Sequence, residues 1–177
     1  MSERFVLITG CSGGGKSTLL EALRRRGHTV VEEPGRRIVR QEPETGGRTL
    51  PWRDPEAFAR RAIAMALADR DTVRDVDGWV FFDRGLIDAA SAMETITGEP
   101  ILADLADRHR YHRRVFLAPP WPEIYRQDPE RQHRLDDALP EYRRLESALP
   151  RLGYVAIPLP KIAVEARADF VLATLAS

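Results

Sequence analysis

The stretch FVLIT-GCSGGGKST constrains this chain more than any other. A short apolar run (residues 5–10) ends in glycine, and the residues after Ser17 take up helical spacing. The loop between them runs Gly10, Cys11, Ser12, Gly13, Gly14, Gly15, Lys16, Ser17, Thr18. It fits G-x-x-x-x-G-K-[ST] at every fixed position, with a strand predicted before it and a helix after it. Glycines let such a loop fold into a nest of inward-pointing N–H groups. The helix start adds partial positive charge. The chemistry that fits is a nucleotide triphosphate, with Lys16 on the β- and γ-phosphates and the Ser17 hydroxyl on Mg²⁺. Lys16 is also conspicuous by type, because Lys16 and Lys161 are the only lysines among 27 basic residues.

The rest of the chain alternates strands and helices. Strands are predicted at 28–33 (HTVVEE), 78–84 (GWVFFDR), 111–119 (YHRRVFLAP) and 153–159 (GYVAIPL). Helices are predicted from Ser17 to Arg26, from Pro55 to about Asp77, over 86–95 and 101–109, from about Asp137 to Arg151, and over 164–175. Pro34-Gly35 closes the second strand, and 41–53 is expected to be a polar loop. Five apolar strands separated by helices specify an α/β fold, a parallel five-stranded sheet in three layers with helices on both faces. One domain over 1–177 is expected from the length and from the absence of any long linker. In such sheets ligands bind beyond the carboxyl ends of the strands, so candidate residues are sought there.

Three places qualify. Asp83 ends the apolar run WVFFD and is expected to hold Mg²⁺ through a water, with Arg84 facing a phosphate or a carboxylate. Glu33 ends the second strand, where it can accept a proton from a substrate hydroxyl or bind a polar substrate. Glu32 should face the other way, and Arg36 can neutralise Glu33 or bind an acceptor phosphate. The segment after the fourth strand, about 120–136, carries Arg126, Arg131 and Arg134 and reads as a lid bringing arginine onto the γ-phosphate. Arg131 is the first choice and Arg126 the second. The turn IPLPK can offer backbone groups to an adenine ring, with Lys161 alongside. His109, His112 and His133 lack metal-ligand spacing and read as surface residues.

Composition narrows the partners. With 27 basic and 27 acidic residues, the net charge is zero. No basic field draws in nucleic acid or an anionic membrane. The single Cys11 permits no intrachain disulfide, and FVLI is too short for a signal peptide or a membrane span. A cytoplasmic protein is expected. There is no N-K-x-D guanine motif, and Asp75-x-x-Gly78 precedes its strand, so it reads as a turn rather than a GTPase element.

Taken together, the phosphate loop, Glu33-Pro34-Gly35-Arg36 (similar to an E-x-[AG]-R element), Asp83-Arg84 (similar to the D-R or E-R pair of thymidylate and deoxynucleoside kinases) and Asp128-Pro129-Glu130-Arg131 (similar to a D-x-x-R lid) resemble the small P-loop kinases. The likeness is to single-domain, AAA-like predicted ATPases and kinases similar to the ribosylnicotinamide kinase domain. It implies a sheet of order 2-3-1-4-5, ATP and Mg²⁺ as cofactors, and a small nucleoside- or nucleotide-like phosphate acceptor. Trp52 loosely matches a tryptophan that deoxynucleoside kinases carry after their E-P element. The alternatives are an ATP-binding or ATP-hydrolysing regulatory module acting on a partner protein, and a nucleic-acid end kinase. No sensor asparagine, ring-type arginine finger or L-S-G-G-Q stretch points to a motor.

Overall fold

The computed structural model describes residues 2–11, 13, 15–124 and 129–177, the side chains of 2, 43–45, 124 and 129–137 excepted. Five parallel strands form one sheet of order β2-β3-β1-β4-β5. They are β1 (Phe5–Gly10), β2 (Thr29–Val31), β3 (Val80–Asp83), β4 (Arg114–Ala118) and β5 (Val155–Pro158). Around them stand α1 (Lys16–Arg25), α2 (Pro34–Thr45), α3 (Pro55–Thr72), α4 (Leu86–Thr97), α5 (Leu102–Arg108), α6 (Pro129–Arg151) and α7 (Val164–Ala176). The fold class and the strand order are those expected from the sequence.

The central strand explains the layering. All six residues of β1 are buried, and a strand sends alternate side chains to opposite faces. Phe5 and Leu7 join Phe82, Val115 and Leu117 against α4 and α6. Val6 and Ile8 join Phe81 and Phe116 against α1 and α7. Both faces therefore carry an apolar core, as a parallel sheet requires. Ile8 pairs with Asp83 and Gly10 with Ala118. The carboxyl ends of β3, β1 and β4 thus come together at the start of the phosphate loop.

Gly10 is obligatory at that junction. Its φ is +115°, and a Cβ there would lie 2.4 Å from the Ala118 carbonyl oxygen. The next residue fastens the loop to β4, the Cys11 N–H donating to the same oxygen at 2.8 Å.

Three segments depart from the expected course. Residues 41–45, read as loop, belong to α2. Pro34 occupies the first helical turn, where its missing N–H costs nothing. The helix then buries Ile38 and Glu42, four residues apart, on one face. It ends at Gly46, whose φ is +90°. α3 stops at Thr72, not near Asp77, because Arg74 and Val76 turn back on the Asp71 and Val73 carbonyls. α6 begins at Pro129, eight residues before the expected Asp137. Proline is well suited to a first helical turn, and the polar run after it carries no apolar periodicity to betray a helix.

The loop after α2 is pinned by a buried acid. Glu42, 1% exposed, accepts from the Thr49 hydroxyl, the Thr49 N–H and the Arg61 guanidinium. This ties α2, the 46–53 loop and α3 together.

Candidate active site

The phosphate loop closes on itself through its lysine. Lys16 is the first residue of α1, 7% exposed, and its Nζ donates to the Cys11 carbonyl at 2.9 Å. Burial, and then the nearby Arg84 charge, lower its pKa from 10.5 to about 8; Asp83, Glu33 and Asp88 oppose this. An ammonium so placed lacks a full counter-charge, which a phosphate would provide. Gly15 precedes it with φ +79°. The Gly15 carbonyl accepts from the Thr18 hydroxyl at 3.0 Å and from Arg167 at 3.2 Å.

Beside the loop lies a cleft of about 390 Å³ lined by Lys16, Ser17, Glu33, Arg36, Asp83 and Arg84, among others. Asp83 is 4% exposed, and its Oδ1 has no hydrogen-bond partner among the described residues. Burial, followed by repulsion from Glu33, raises its pKa; Lys16, Arg36 and Arg84 limit the rise. A buried carboxylate oxygen with nothing to accept is costly unless something binds it. The exposed Ser17 hydroxyl lines the same cleft. A hydroxyl and a carboxylate, with room for water and phosphate oxygens, are the donor set Mg²⁺ prefers, so these residues fit the ion. No group of three or more His, Cys, Asp or Glu forms a protein-only cation site among the described residues.

Glu33 stands between two guanidinium groups, 3.7 Å from Arg36 and 3.8 Å from Arg84. Glu32 and Glu33 lie past the end of β2, so strand alternation does not separate them; Glu32 pairs with Arg40 and lines an adjoining hollow with Ser17, Arg36 and Asp83. Arg84 is the hub. It has a φ of 54°, unusual for a residue with a side chain. Its N–H donates to the Ile8 carbonyl at 2.9 Å, and its Nη2 donates to the Gly10 carbonyl at 3.2 Å. Its Nη1 is 3.7 Å from Glu141 on α6. The β3–α4 turn, the start of the phosphate loop, the N-cap of α2 and α6 thus converge on one side chain.

A second cleft, about 220 Å³, also has Arg84 in its wall. Glu33, Arg84 and Glu141 line both clefts. Its remaining wall is mainly apolar, with Pro51, Pro55, Phe58, Ala62, Ala89 and Ile96. Asp88, 7% exposed, also lines it. The Thr9 hydroxyl and the Gly85 N–H, the latter at 3.0 Å, donate to its two oxygens. Burial raises its pKa to about 6, against the lowering influence of Arg84 and Thr9.

The structure therefore brings Lys16, Ser17, Glu33, Arg36, Asp83 and Arg84 together. Ser12, Gly14 and Arg126, and the side chains of Arg131 and Arg134, lie outside the described residues. Lys161 is exposed on the β5–α7 turn and lines neither cleft. Trp52 is 69% exposed; its neighbour Pro51 lines the second cleft instead. His112 is not a plain surface residue: its Nδ1 accepts the Arg114 N–H at 3.0 Å and its ring meets Trp79 edge-on. Three site residues escaped sequence reasoning. Asp88, three residues after Gly85, had the spacing of a helix-capping acid as its only signal. Glu141 and Arg167 reach the site across long sequence separations and had none.

The family model described as AAA domain matches residues 5–167. Among curated proteins, ribose 1,5-bisphosphate phosphokinase of Acidiphilium cryptum (strain JF-5) is 42% identical over 66 residues. That match covers 37% of this chain and 36% of the relative, so the chain aligns with only about a third of that protein's length. Among solved structures, deoxyadenosine kinase from M. mycoides with bound dATP superposes with a TM-score of 0.63 at 12% identity. It covers 98% of this chain and 100% of that one. Shikimate kinase from Acinetobacter baumannii in complex with shikimate gives 0.58 at 15% identity, over 98% and 93%. These likenesses carry the fold: a five-stranded P-loop kinase-like sheet.

Proposed function

The chain belongs to this AAA-domain family, and from that premise we propose that it is a kinase moving the γ-phosphoryl group of ATP to a small hydroxyl acceptor. The observation that carries the proposal is the pair of clefts meeting at Glu33, Arg84 and Glu141. One is polar and lined by the phosphate loop. The other is largely apolar and sized for a small organic molecule. A second cleft beside the phosphate loop supports a reading in which a small acceptor binds next to ATP.

In this reading Lys16 and the loop N–H groups hold the β- and γ-phosphates. Ser17 and Asp83 would hold Mg²⁺, which when bound offsets phosphate charge. Glu33 accepts the proton of the acceptor hydroxyl as its oxygen bonds to the γ-phosphorus and the bond to ADP breaks. Arg84 fixes Glu33 and faces the transferring group. Arg36 neutralises Glu33 or approaches the phosphates. The segment 120–136 is the lid of a single domain over 1–177, with Arg131 or Arg126 closing on the γ-phosphate. The three relatives are named for different compounds (ribose 1,5-bisphosphate, deoxyadenosine, shikimate), so they support a small acceptor without choosing one. No helix among the described residues is long and apolar enough to cross a membrane. With zero net charge, a nucleic-acid acceptor has little support.

Glu33→Gln separates this function from a regulatory ATP-binding module. The kinase reading expects ATP affinity within about twofold of the parent and turnover reduced by about 100-fold or more. A variant that turns over normally would refute the role given to Glu33 and favour the regulatory alternative.

A further inference from the structure

The phosphate loop is braced by a buried residue that lines neither cleft. Arg167 stands in the first turn of α7. Its Nη1 donates to the Gly15 carbonyl at 3.2 Å, an oxygen that also accepts the Leu19 N–H from the first turn of α1. Its guanidinium carbon lies 5.4 Å from the centre of the Trp121 ring, in the connection that follows β4. The end of β4 is itself fastened to the loop, where the Ala118 carbonyl accepts the Cys11 N–H. α7 also grips the far end of α1: Glu165 and Asp169 each pair at 2.7 Å with Arg26, the C-terminal cap of that helix.

The bond to Gly15 acts on the next residue. The Gly15–Lys16 peptide is trans and planar, so its carbonyl oxygen and its N–H point in opposite directions. A donor held on the Gly15 oxygen therefore aims the Lys16 N–H the other way. That N–H opens α1, where no carbonyl of the helix can take it, and such groups are the ones that face a phosphate. Gly15, with φ +79° and no Cβ, leaves the aim loose unless something fixes it. Trp121 steadies the guanidinium in turn, because an aromatic face attracts a cation in a set orientation. Resting on the reading of Gly10–Thr18 as a phosphate loop, and not on the transfer step, we propose that Arg167 is a positioning residue for the nucleotide. It fixes the Gly15–Lys16 peptide so that the Lys16 N–H meets the phosphate, and Trp121 fixes Arg167. The last helix of the fold thus acts on nucleotide binding without touching the nucleotide.

Selective ¹⁵N labelling of lysine reads this directly, because Lys16 and Lys161 are the only lysines in the chain. Lys161→Arg tells the two amide signals apart. Mg·ADP should move the Lys16 amide proton downfield in the parent and much less in Arg167→Gln. The Kd for Mg·ADP, measured by calorimetry, should rise about tenfold in Arg167→Gln. Arg167→Lys should recover part of the loss, because an ammonium can reach the oxygen but cannot also lie flat on Trp121. Trp121→Leu should weaken binding severalfold. Arg26→Ala is the control: it frees the other end of α1 from α7 and should lower the melting temperature slightly, with Kd within about twofold of the parent. Parental affinity and a parental Lys16 shift in Arg167→Gln overturn the proposal. So does a loss of affinity with the Lys16 shift unchanged, or an equal loss in Arg26→Ala, since either marks Arg167 as a prop for the fold alone. If Arg167→Gln does not fold, Arg167→Lys decides by the same two readings. Failure of the parent to bind Mg·ADP would overturn the phosphate-loop reading and this proposal together, whereas the Arg167 outcomes leave that reading standing.

Discussion

At the residue scale the site is governed by what is buried without full compensation. Lys16 is the clearest case. Its folded pKa, about 8, lies below the ordinary 10.5, so folding favours the neutral amine. The penalty for its charge is present below about pH 8 and fades as pH rises from there towards 10.5. A bound triphosphate reverses the preference by supplying negative charge. ATP binding should therefore take up a fraction of a proton near pH 8 and almost none at pH 6, and affinity should weaken as pH climbs above 8. Calorimetry in two buffers of different ionisation heat reads this directly; equal apparent enthalpies at pH 8 would count against it. Gly15 offers a second test. A Cβ there would sit 2.3 Å from Arg167 Nη1, on a backbone with φ +79°. Gly15→Ala should weaken ATP binding by about tenfold or more and lower the melting temperature, because both the left-handed turn and the Arg167 bond must give. An alanine variant with parental affinity would show that the loop tolerates displacement.

At the element scale, α2 and α3 do more than cover the sheet edge. Glu42, with Arg61 and Thr49, fixes the 46–53 loop that brings Pro51 to the second cleft. Breaking a buried ion pair from one side costs about 3–5 kcal/mol. Arg61→Ala, which leaves the buried Glu42 carboxylate without that cation, should destabilise the protein by that order in urea unfolding, while Glu42→Ala, which leaves the more exposed Arg61 to solvent, should cost less. If the cleft takes the acceptor, Arg61→Ala should raise the acceptor KM with little change in the KM for ATP. These elements also divide what the sequence made legible from what it did not. β1, α1 and β3 were plain, because continuous apolar runs bounded by glycine or an acid leave few alternatives. α2 was hidden because its first turn is Pro-Gly and its last carries another proline, both of which punctuate loops more often than helices. Glu33 and Asp83 could be nominated because parallel strands deliver their carboxyl ends to one side of a sheet. Asp88, Glu141 and Arg167 could not. Asp88 looks like a helix cap, and the others matter only through contacts made by chain more than 50 residues away.

At the scale of the whole molecule, the fold brings β1, β3 and the starts of α2 and α4 to a common point at Arg84, where α6 also arrives. Ligand binding at that point should register globally. Saturation of a site at 100 times its Kd adds about 2.7 kcal/mol of stability, which for a chain of this length is a rise of roughly 5–10 °C in melting temperature. Mg·ATP should produce that shift in the parent and not in Lys16→Ala. The most direct test of the kinase assignment itself is the stoichiometry of transfer. Purified protein is incubated with Mg·ATP, with and without a nucleoside panel, and ADP and phosphorylated product are counted by mass spectrometry. A kinase forms one phosphorylated acceptor for each ADP, and Lys16→Ala should abolish both. ADP formed at one unchanging rate whatever acceptor is present, with free phosphate as the only other product, would contradict that assignment.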